Sequence, residues 1–359
     1  MSGTEVMQHG TFQFKSLPRF SPDRFMKSGH AQTVIPFFMR DEEIEYNATP
    51  HYVELPDGDQ IVLHDDCPPE WTNGNRIVML VHGLGGCHGS TYMVRIARRL
   101  VSRGYRVFRM DMRGCGAGLP LARGIFHAGR FDDLLHAAHY VNELAKQSPI
   151  TVSGFSLGAN LALKMLGEYP DETSGLIDSA VVVEPPIDLH YCCRKLGTGV
   201  GWTYDLFFAR MLWRDFTQRT SLIPGASRLS IPRRPRTLLE FDSHITSQLA
   251  GFRDAVEYYD YSSSKNVLGR IRVPTAILTA IDDPIVPISM FENADWSTTT
   301  LFHVSEGGGH LGFIGTDAGN PREGKAHQRR WMDDCVVRWI DSMGHSPADT
   351  VEGRVGMSI

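Results

Sequence analysis

Ser156 lies between two glycines in the stretch GFSLGAN, which directly follows the apolar run ITVS. A Gly-x-Ser-x-Gly sequence between a strand and a helix is typical of a sharp turn that lifts a serine hydroxyl above the edge of a sheet. In such a turn, a side chain at either glycine would collide with neighbouring backbone. The pattern therefore predicts a nucleophilic Ser156, with the backbone N–H of Leu157 directed at the oxyanion of a tetrahedral intermediate.

A second donor to the same oxyanion is predicted in VHGLGG, residues 81–86, a glycine-rich stretch behind the apolar run RIVML. The candidate is the backbone N–H of Leu84, and the alternative is an ordinary glycine-rich turn. Loss of one such donor typically raises the barrier by about 3–4 kcal/mol, so this loop would contribute to catalysis. His82 and His88 flank the loop, and we expect them to shape it by hydrogen bonds rather than to bind a metal.

A serine nucleophile also needs a base, and His310 in EGGGHLGF is the candidate that we favour. This glycine-rich segment follows the last predicted strand, so its histidine can reach the carboxyl edge of the sheet. A surface histidine without a catalytic role is the alternative. The other histidines after the serine fall in a predicted cap, a strand, the last helix or the tail: His190, His244, His303, His327 and His345.

A catalytic triad of serine, histidine and acid also needs a carboxylate. It should lie after the strand that comes just before the last predicted strand, which leads to His310. The segment TAILTAIDDPIVP offers Asp282 and Asp283. We favour Asp283, because the chain passes from it into the proline-marked start of the next helix. Asp282 stays an alternative, and Glu184, at the end of an earlier strand, is a more remote one.

The composition is that of an ordinary globular protein and gives no reason to expect a nucleic-acid partner. The 359 residues are 42% hydrophobic and 21% charged, with a formal net charge of -5. The cysteines form no CxxC pair or metal-binding spacing, which favours a reducing compartment. The N-terminus lacks a signal-peptide pattern, and no apolar run reaches the ~18 residues that span a bilayer. We therefore expect a cytoplasmic protein without a transmembrane segment.

Short apolar runs alternate with helical patterns along most of the chain. The predicted buried strands are residues 76–82, 105–111, 151–156, 179–185, 274–280 and 299–305. This alternation predicts an α/β fold with a mostly parallel central sheet and helices on both of its faces. Two further strands, joined by a turn at residues 57–59, are predicted in YVELPDGDQIVLHDD.

The predicted boundaries depend on one long interval between strands. Residues 185–268 far exceed an ordinary connection and predict a helical cap. The core then comprises residues 51–184 and 269–343. An N-terminal segment, residues 1–50, is expected to pack on this core, and residues 344–359 are expected to form a flexible tail.

The predicted cap is dense in aromatic and aliphatic side chains, eight of which lie within twelve positions: Trp202, Tyr204, Leu206, Phe207, Phe208, Met211, Leu212 and Trp213. Because so crowded a stretch cannot confine its apolar residues to one face of a helix, some of them should face the cleft between cap and sheet. There they would set the preference for acyl-chain length. The alternative is that they only pack the interior of the cap.

Several longer segments resemble the α/β-hydrolase superfamily, and in particular its YheT-like branch. These are SGHAQTVIPFFMR, ELPDGDQIVLHDD, DMRGCGAGLPLARGIFHAGRFDDL and RTLLEFDSHITSQLAGFRDAVEYYDYSS, together with VHGLGG, the DDP segment and GGGH. The similarity covers roughly residues 15–343. The tract EPPIDLHYCCRKLGTGVGWTYDL has no counterpart that we recognise in detail.

The resemblance implies the α/β-hydrolase fold and a carboxylesterase or lipase-like enzyme that needs neither metal nor organic cofactor. It assigns Ser156 as nucleophile, His310 as base and an aspartate of the DDP segment as acid. The expected substrates are short- or medium-chain acyl esters or lipid esters, with transient contact to a membrane surface. The alternatives are a thioesterase or amidase with the same triad, and a non-catalytic ligand-binding relative. Such relatives usually lack the serine or the histidine, and this chain has both.

Polar residues in the family-like segments are expected to have structural roles. Asp111, Arg113 and His127 are predicted to form an ion pair or to anchor loops. His30 and Gln32 are predicted to hold the N-terminal segment in place.

Overall fold

The structure, a computed structural model, describes residues 6–8, 14–39, 47–223, 229, 231, 233–317 and 330–344. The strands are β1 (Val6–Gln8), β2 (Phe20–Pro22), β3 (Thr49–Glu54), β4 (Gln60–Asp66), β5 (Ile77–Val81), β6 (Arg106–Asp111), β7 (Ile150–Phe155), β8 (Ser179–Val183), β9 (Thr275–Ala280), β10 (Thr300–Ser305) and β11 (Gly315–Asp317). The helices are α1 (Gly29–Phe38), α2 (Thr91–Val101), α3 (Phe131–Leu144), α4 (Leu157–Glu168), α5 (Pro170–Leu176), α6 (Leu189–Leu196), α7 (Gly201–Leu222), α8 (Leu238–Phe241), α9 (Ser247–Ala250), α10 (Ala255–Ser262) and α11 (Trp331–Ser342). His327, His345 and nearly all of the predicted tail lie outside the described residues.

In the described part of the chain, the main sheet has the strand order β1-β10-β9-β8-β7-β5-β6-β4-β3. The strands from β10 to β6 in this order are parallel, whereas β1, β4 and β3 are antiparallel to their neighbours. The predicted mostly parallel sheet is therefore confirmed. The chain moves from β5 to β6 on one side and later to β7 on the other. A topological switch point thus lies at the carboxyl end of β5, where open α/β sheets bind ligands.

Helices cover both faces of this sheet. Leu134 of α3 and Leu161 of α4 belong to the core on one face, and Ile96 of α2 and Val336 of α11 to the core on the other. The strands β5, β7, β8 and β9 are buried along their whole length. Burial on both faces explains why their sequences are continuous apolar runs.

The insertion between β8 and β9 contains α6 to α10 and lies over the carboxyl end of the sheet. Phe216 of α7, Phe241 and Ile245 form a small core of their own. Tyr258 of α10 packs in a cluster with Leu157, the first residue of α4. The described part of the insertion is helical, and it closes one side of the space above Ser156.

The N-terminal segment is built into the core. β1 extends the main sheet beside β10, and β2 pairs with β11 in a separate two-stranded sheet. The buried Gln32 side chain donates to the carbonyl of Ile314 at 2.9 Å and accepts from its N–H at 2.6 Å. Gln32 therefore ties α1 to the chain that follows His310. None of the helices in the described residues has the length and apolarity needed to cross a bilayer.

Arg113 forms an ion-pair cluster that joins the turn between β3 and β4 to α3. Its guanidinium donates to Asp57 and Asp59 at 2.6 Å and to both oxygens of Asp133 at 2.9 Å. The Arg113 side chain is only 2% exposed. Because Asp59 and Asp133 are also buried, this one cation neutralises carboxylates that water cannot solvate well.

We expect Arg113→Met to destabilise the fold by about 3–5 kcal/mol, because it removes the charged partner of the buried Asp133 carboxylate. The matched control is Lys146→Met, which breaks an ion pair with Glu143 that is exposed on both sides. This control should change the free energy of unfolding by less than about 0.5 kcal/mol. Urea unfolding followed by circular dichroism measures both, and equal effects would contradict a stabilising role of the buried cluster.

Candidate active site

Ser156 occupies a strained turn between β7 and α4. Its φ of 51° and ψ of −118° are unusual for a residue with a side chain. Its N–H donates to the carbonyl of Val183 at 2.9 Å. A Cβ at Gly154 would lie 2.5 Å from the carbonyl oxygen of Gly158, and one at Gly158 would lie 2.4 Å from that of His82. Both glycines are therefore required by close backbone packing.

His310 links the serine to an acid. Its Nε2 lies 2.8 Å from Ser156 Oγ, and its Nδ1 lies 2.7 Å from Asp283 Oδ2. The second carboxylate oxygen of Asp283 accepts from the N–H groups of Ile285 and Val286 at 2.7 and 2.9 Å. These backbone donors fix the carboxylate, which in turn orients the imidazole with Nδ1–H towards the acid and Nε2 towards the hydroxyl.

The two alternative acids also lie in this region but contact the backbone of the histidine loop. Asp282 accepts the N–H of Gly309 at 2.9 Å. Glu184 accepts the N–H of Leu311 at 2.5 Å, and the same oxygen lies 3.3 Å from His310 Nδ1. Asp283 is thus the nearest carboxylate to the imidazole, with Glu184 as a second one close behind it.

Glu184 is fully buried and has a φ of 50°, again in the left-handed region. Burial, together with the negative charge of Asp283, raises the pKa of its carboxyl well above the ordinary value. Ionisation of two neighbouring buried carboxyl groups beside one imidazole costs free energy, because their negative charges repel each other. The arrangement therefore favours a neutral Glu184. The sequence predicts Glu184 only as a remote alternative for the acid and gives no indication of this pairing.

The loop after β5 lies directly beside the turn at Ser156. Leu84 and Leu157 both line the cavity that contains Ser156. In the described part of the chain, neither backbone N–H donates to another protein group. The loop is held by Tyr92, whose hydroxyl accepts the N–H of Gly83 at 2.9 Å. Burial raises the pKa of Tyr92 to about 12, so its hydroxyl keeps its proton at neutral pH.

Asp111 at the end of β6 anchors the far side of this loop. Its carboxylate accepts the N–H of His88 at 2.6 Å, the His88 ring at 2.8 Å and the His64 ring at 3.0 Å. His82 is fully buried, and burial lowers the pKa of its imidazole. Its Nδ1 donates to the carbonyl of Gly83 at 2.7 Å, while its Nε2 accepts the N–H of Met112 at 3.3 Å.

Helix α1 supports the histidine loop from the N-terminal side. Thr33 Oγ1 accepts the N–H of His310 at 2.9 Å, and Gly29 packs against the carbonyl of Asp282 so closely that a Cβ would clash. His30 stacks on Tyr204 of α7 and forms a hydrogen bond of 2.8 Å with its hydroxyl. The N-terminal segment thus connects the histidine loop to the cap.

The cavity above Ser156 is mainly apolar and has a volume of about 110 Å³. On the cap side it is lined by Phe208 and Leu212 of α7. Trp202 and Phe207, which the sequence analysis named as candidates for this cleft, are 51% and 46% exposed and lie outside its lining. Met211, another candidate from the sequence, contacts the loop at Gly85 instead. The remaining lining residues on the cap and helix side include Leu189, Cys192, Cys193, Leu196, Tyr258 and Tyr259.

Of the other histidines, His190, His244 and His303 lie in other elements of the described structure, whereas His127 lies at the cavity. His303 lies within β10, and burial lowers the pKa of its imidazole to about 4. His190 stacks on Tyr259 in the cap, and His244 lies in the π-helical turn between α8 and α9. His127 lines the cavity, and burial lowers the pKa of its ring to about 3, so it is neutral.

Comparison with known proteins relates most of this chain to one family. The family model described as alpha/beta hydrolase fold matches residues 76–316. The protein named "Putative esterase YheT" of Escherichia coli strain K12 is 26% identical over 91% of this chain and 94% of its own. A protein of Saccharomyces cerevisiae named monoacylglycerol lipase is 26% identical over 92% of this chain and 70% of its own.

A solved structure is similar to this chain in its fold. Est1E from Butyrivibrio proteoclasticus, with ferulic acid bound, superposes with a TM-score of 0.52. It covers 82% of this chain and 98% of its own chain at 13% identity, a likeness that shows the fold.

The neutral Glu184 gives a pH-dependent stability that can be measured. Above about pH 4.3, the ordinary pKa of glutamate, the unfolded chain releases a proton that the native Glu184 retains, so native stability falls as pH rises. Glu184→Gln removes this titration while it keeps a neutral side chain of similar shape. From about pH 4.3 up to the raised native pKa of Glu184, the free energy of unfolding of E184Q relative to the wild type should rise with pH, by at most about 1.4 kcal/mol per pH unit.

Urea unfolding at several pH values measures this difference. Glu143→Gln, at an exposed position, is the control and should show no such slope relative to the wild type. A constant or falling difference for E184Q would mean that Glu184 is ionised in the native state.

Proposed function

This chain belongs to the α/β-hydrolase family, within its YheT-like branch, and we propose that it cleaves carboxylic esters through an acyl-enzyme on Ser156. One observation carries the proposal: a continuous hydrogen-bond chain runs from Ser156 Oγ through His310 to Asp283, at 2.8 and 2.7 Å. It lies at the floor of an apolar cavity. A non-catalytic role would not explain these aligned hydrogen bonds or the strained turn at Ser156.

In the first step, His310 Nε2 takes the proton of Ser156 Oγ as the oxygen attacks the ester carbonyl carbon. Asp283 keeps Nδ1–H oriented and stabilises the imidazolium that forms. The carbonyl oxygen becomes an oxyanion, which the N–H groups of Leu84 and Leu157 stabilise. When the tetrahedral intermediate collapses, the imidazolium gives its proton to the leaving alcohol and the acyl group stays on Ser156.

The second step reverses these roles with water. His310 removes a proton from water, the hydroxide attacks the acyl carbon, and the imidazolium returns the proton to Ser156 Oγ as the acid leaves. No metal or organic cofactor is needed for either step. A thioester or amide would pass through a similar intermediate, but the esterase and lipase names of the relatives favour an ester.

Lipid esters or acyl esters of short to medium chain length are the substrate class that we propose. The apolar lining of the cavity, with Phe208 and Leu212, suits an acyl chain. Helix α1, which contacts α7, carries no Asp, Glu, Lys or Arg and exposes Phe37 and Phe38 by 73% and 75%. The Phe37 ring contacts Phe207 of α7, which supports transient contact of this surface with lipid.

We expect Ser156→Ala to lose both labelling by a fluorophosphonate probe and turnover of p-nitrophenyl esters, because the attacking oxygen is gone. Ser174→Ala, at a surface serine, is the control and should keep both. Circular dichroism tests whether each variant folds. Full labelling of folded S156A would identify another nucleophile and end the assignment.

The cavity lining should set acyl-chain preference. We expect Phe208→Ala and Leu212→Ala to shift the kcat/KM optimum along a p-nitrophenyl ester series, since each accepted methylene is worth roughly 0.8 kcal/mol, or about fourfold in kcat/KM. The exposed neighbours provide matched controls, Phe207→Ala and Trp202→Ala, whose preference should stay unchanged. A shifted acyl-chain preference in the controls but not in F208A and L212A would contradict the role of these two lining residues.

A further inference from the structure

We propose that His64, His88 and Asp111 form a binding site for one divalent transition-metal ion, such as Zn²⁺ or Co²⁺. The site lies beside the loop that carries Leu84 but outside the hydrogen-bond chain of Ser156. It does not depend on the proposed ester hydrolysis. The sequence predicts that His88 shapes the loop by hydrogen bonds rather than binding a metal, and the proposed site departs from that expectation.

The three side chains come from three separate elements and converge on one point. His64 lies on β4, Asp111 ends β6, and His88 lies in the loop before α2. His64 Nε2 and His88 Nδ1 lie 3.0 and 2.8 Å from the same oxygen, Asp111 Oδ2. The two imidazole rings are stacked, with centroids 3.5 Å apart and an angle of 16° between their planes. Both ring nitrogens therefore approach the carboxylate side by side.

Hydrogen bonding alone accounts poorly for this convergence. Asp111 Oδ2 also accepts the N–H of Ala117 at 2.8 Å, so three donors are directed at one oxygen. A carboxylate oxygen has two lone pairs, and three donors cannot all be well aligned with them. A cation coordinated by the lone pairs of both imidazoles and by Oδ2 would replace two of these protons. The N–H of Ala117 would remain as the single hydrogen bond to this oxygen.

The spacing of the ligand atoms fits a small metal ion. Bonds of about 2.0–2.1 Å to nitrogen and 2.0–2.2 Å to oxygen, at tetrahedral angles, put neighbouring ligand atoms about 3.3 Å apart. The two nitrogen–oxygen distances here are 3.0 and 2.8 Å, and all three ligand atoms lie within 4.8 Å of one another. The distances between the ligand atoms therefore need to change by only a few tenths of an ångström. The two stacked rings must also tilt, because their planes are nearly parallel and each lone pair lies in its ring plane.

The surroundings already orient the carboxylate and leave a route to solvent. The N–H of His88 holds the other oxygen of Asp111 at 2.6 Å, which is the kind of outer contact that fixes a ligating carboxylate. His64 and Asp111 are buried, whereas the His88 side chain is 22% exposed. Two imidazoles and one carboxylate suit Zn²⁺ or Co²⁺ better than Mg²⁺ or Ca²⁺, which prefer oxygen ligands.

A second cluster offers the same ligand types and must be distinguished by experiment. Glu184, Asp283 and His310 also have ligand atoms within 4.8 Å of one another. There, however, His310 Nδ1 faces the acid that orients it, and its Nε2 faces Ser156 Oγ. The hydrogen bonds of that cluster are explained by the proposed reaction.

The test is Co²⁺ titration of the full chain after removal of bound metal with a chelator, followed by visible absorption and by equilibrium dialysis. We expect one Co²⁺ per chain and at least about tenfold weaker binding in His64→Gln and in His88→Gln. His310→Gln tests the active-site cluster and should bind Co²⁺ like the wild type. His139→Gln, which removes a half-exposed histidine paired with Glu172, is the control for surface histidines and should also bind normally.

Thermal unfolding gives a second measurement in the same samples. Saturating Co²⁺ should raise the Tm of the wild type, H310Q and H139Q, but not that of H88Q, because an ion stabilises only a native state that binds it. H88Q, in a partly exposed loop, tests the site alone if H64Q does not fold. The proposal is overturned by unchanged affinity in H64Q or H88Q, by loss of binding in H310Q alone, or by the absence of saturable Co²⁺ binding to the wild type.

Discussion

The turn at Ser156 is the constraint on which the rest of the site depends. A residue with a side chain is held at a φ of 51° because Gly154 and Gly158 let β7, α4 and the end of β5 approach within backbone contact. The hydrogen bond from Ser156 to Val183 ties the same turn to β8. Three central strands therefore end at one point, and their loops supply the serine, its neighbouring donors and Glu184. The unfavourable local backbone is stabilised by the packing of the whole sheet.

The loop that carries His310 is likewise held by contacts from several separate parts of the chain. The consecutive N–H groups of Gly309, His310 and Leu311 are accepted by Asp282, Thr33 and Glu184, which come from three different parts of the chain. Asp283 is then left to face the imidazole itself. One carboxylate orients the ring while its two neighbours hold the backbone, so all three carboxylates contribute to a single ring position. A proton on Glu184 keeps this crowding of acids compatible with burial.

Local patterns predicted the strands, the turn at Ser156 and the position of His310 in a loop, because periodicity and glycine spacing are properties of adjacent residues. Long-range neighbours were not predictable in this way. Glu184 approaches His310 only because β8 lies between β7 and β9, and His64 meets His88 only because β4 pairs with β6. The orientation of α7 could not be predicted from the sequence either, because apolar residues lie on several of its faces. The sequence therefore did not distinguish Phe208, which lines the cavity, from the exposed Phe207.

The central claim is that Ser156 attacks a carbonyl whose oxygen is then held by two backbone donors. A crystal structure of the chain after reaction with a phosphonate ester tests it most directly. The account predicts phosphorus bonded to Ser156 Oγ, with one phosphoryl oxygen about 2.7–3.1 Å from the N–H nitrogens of both Leu84 and Leu157. Phosphorus on another side chain, or a phosphoryl oxygen turned away from both donors, would contradict it.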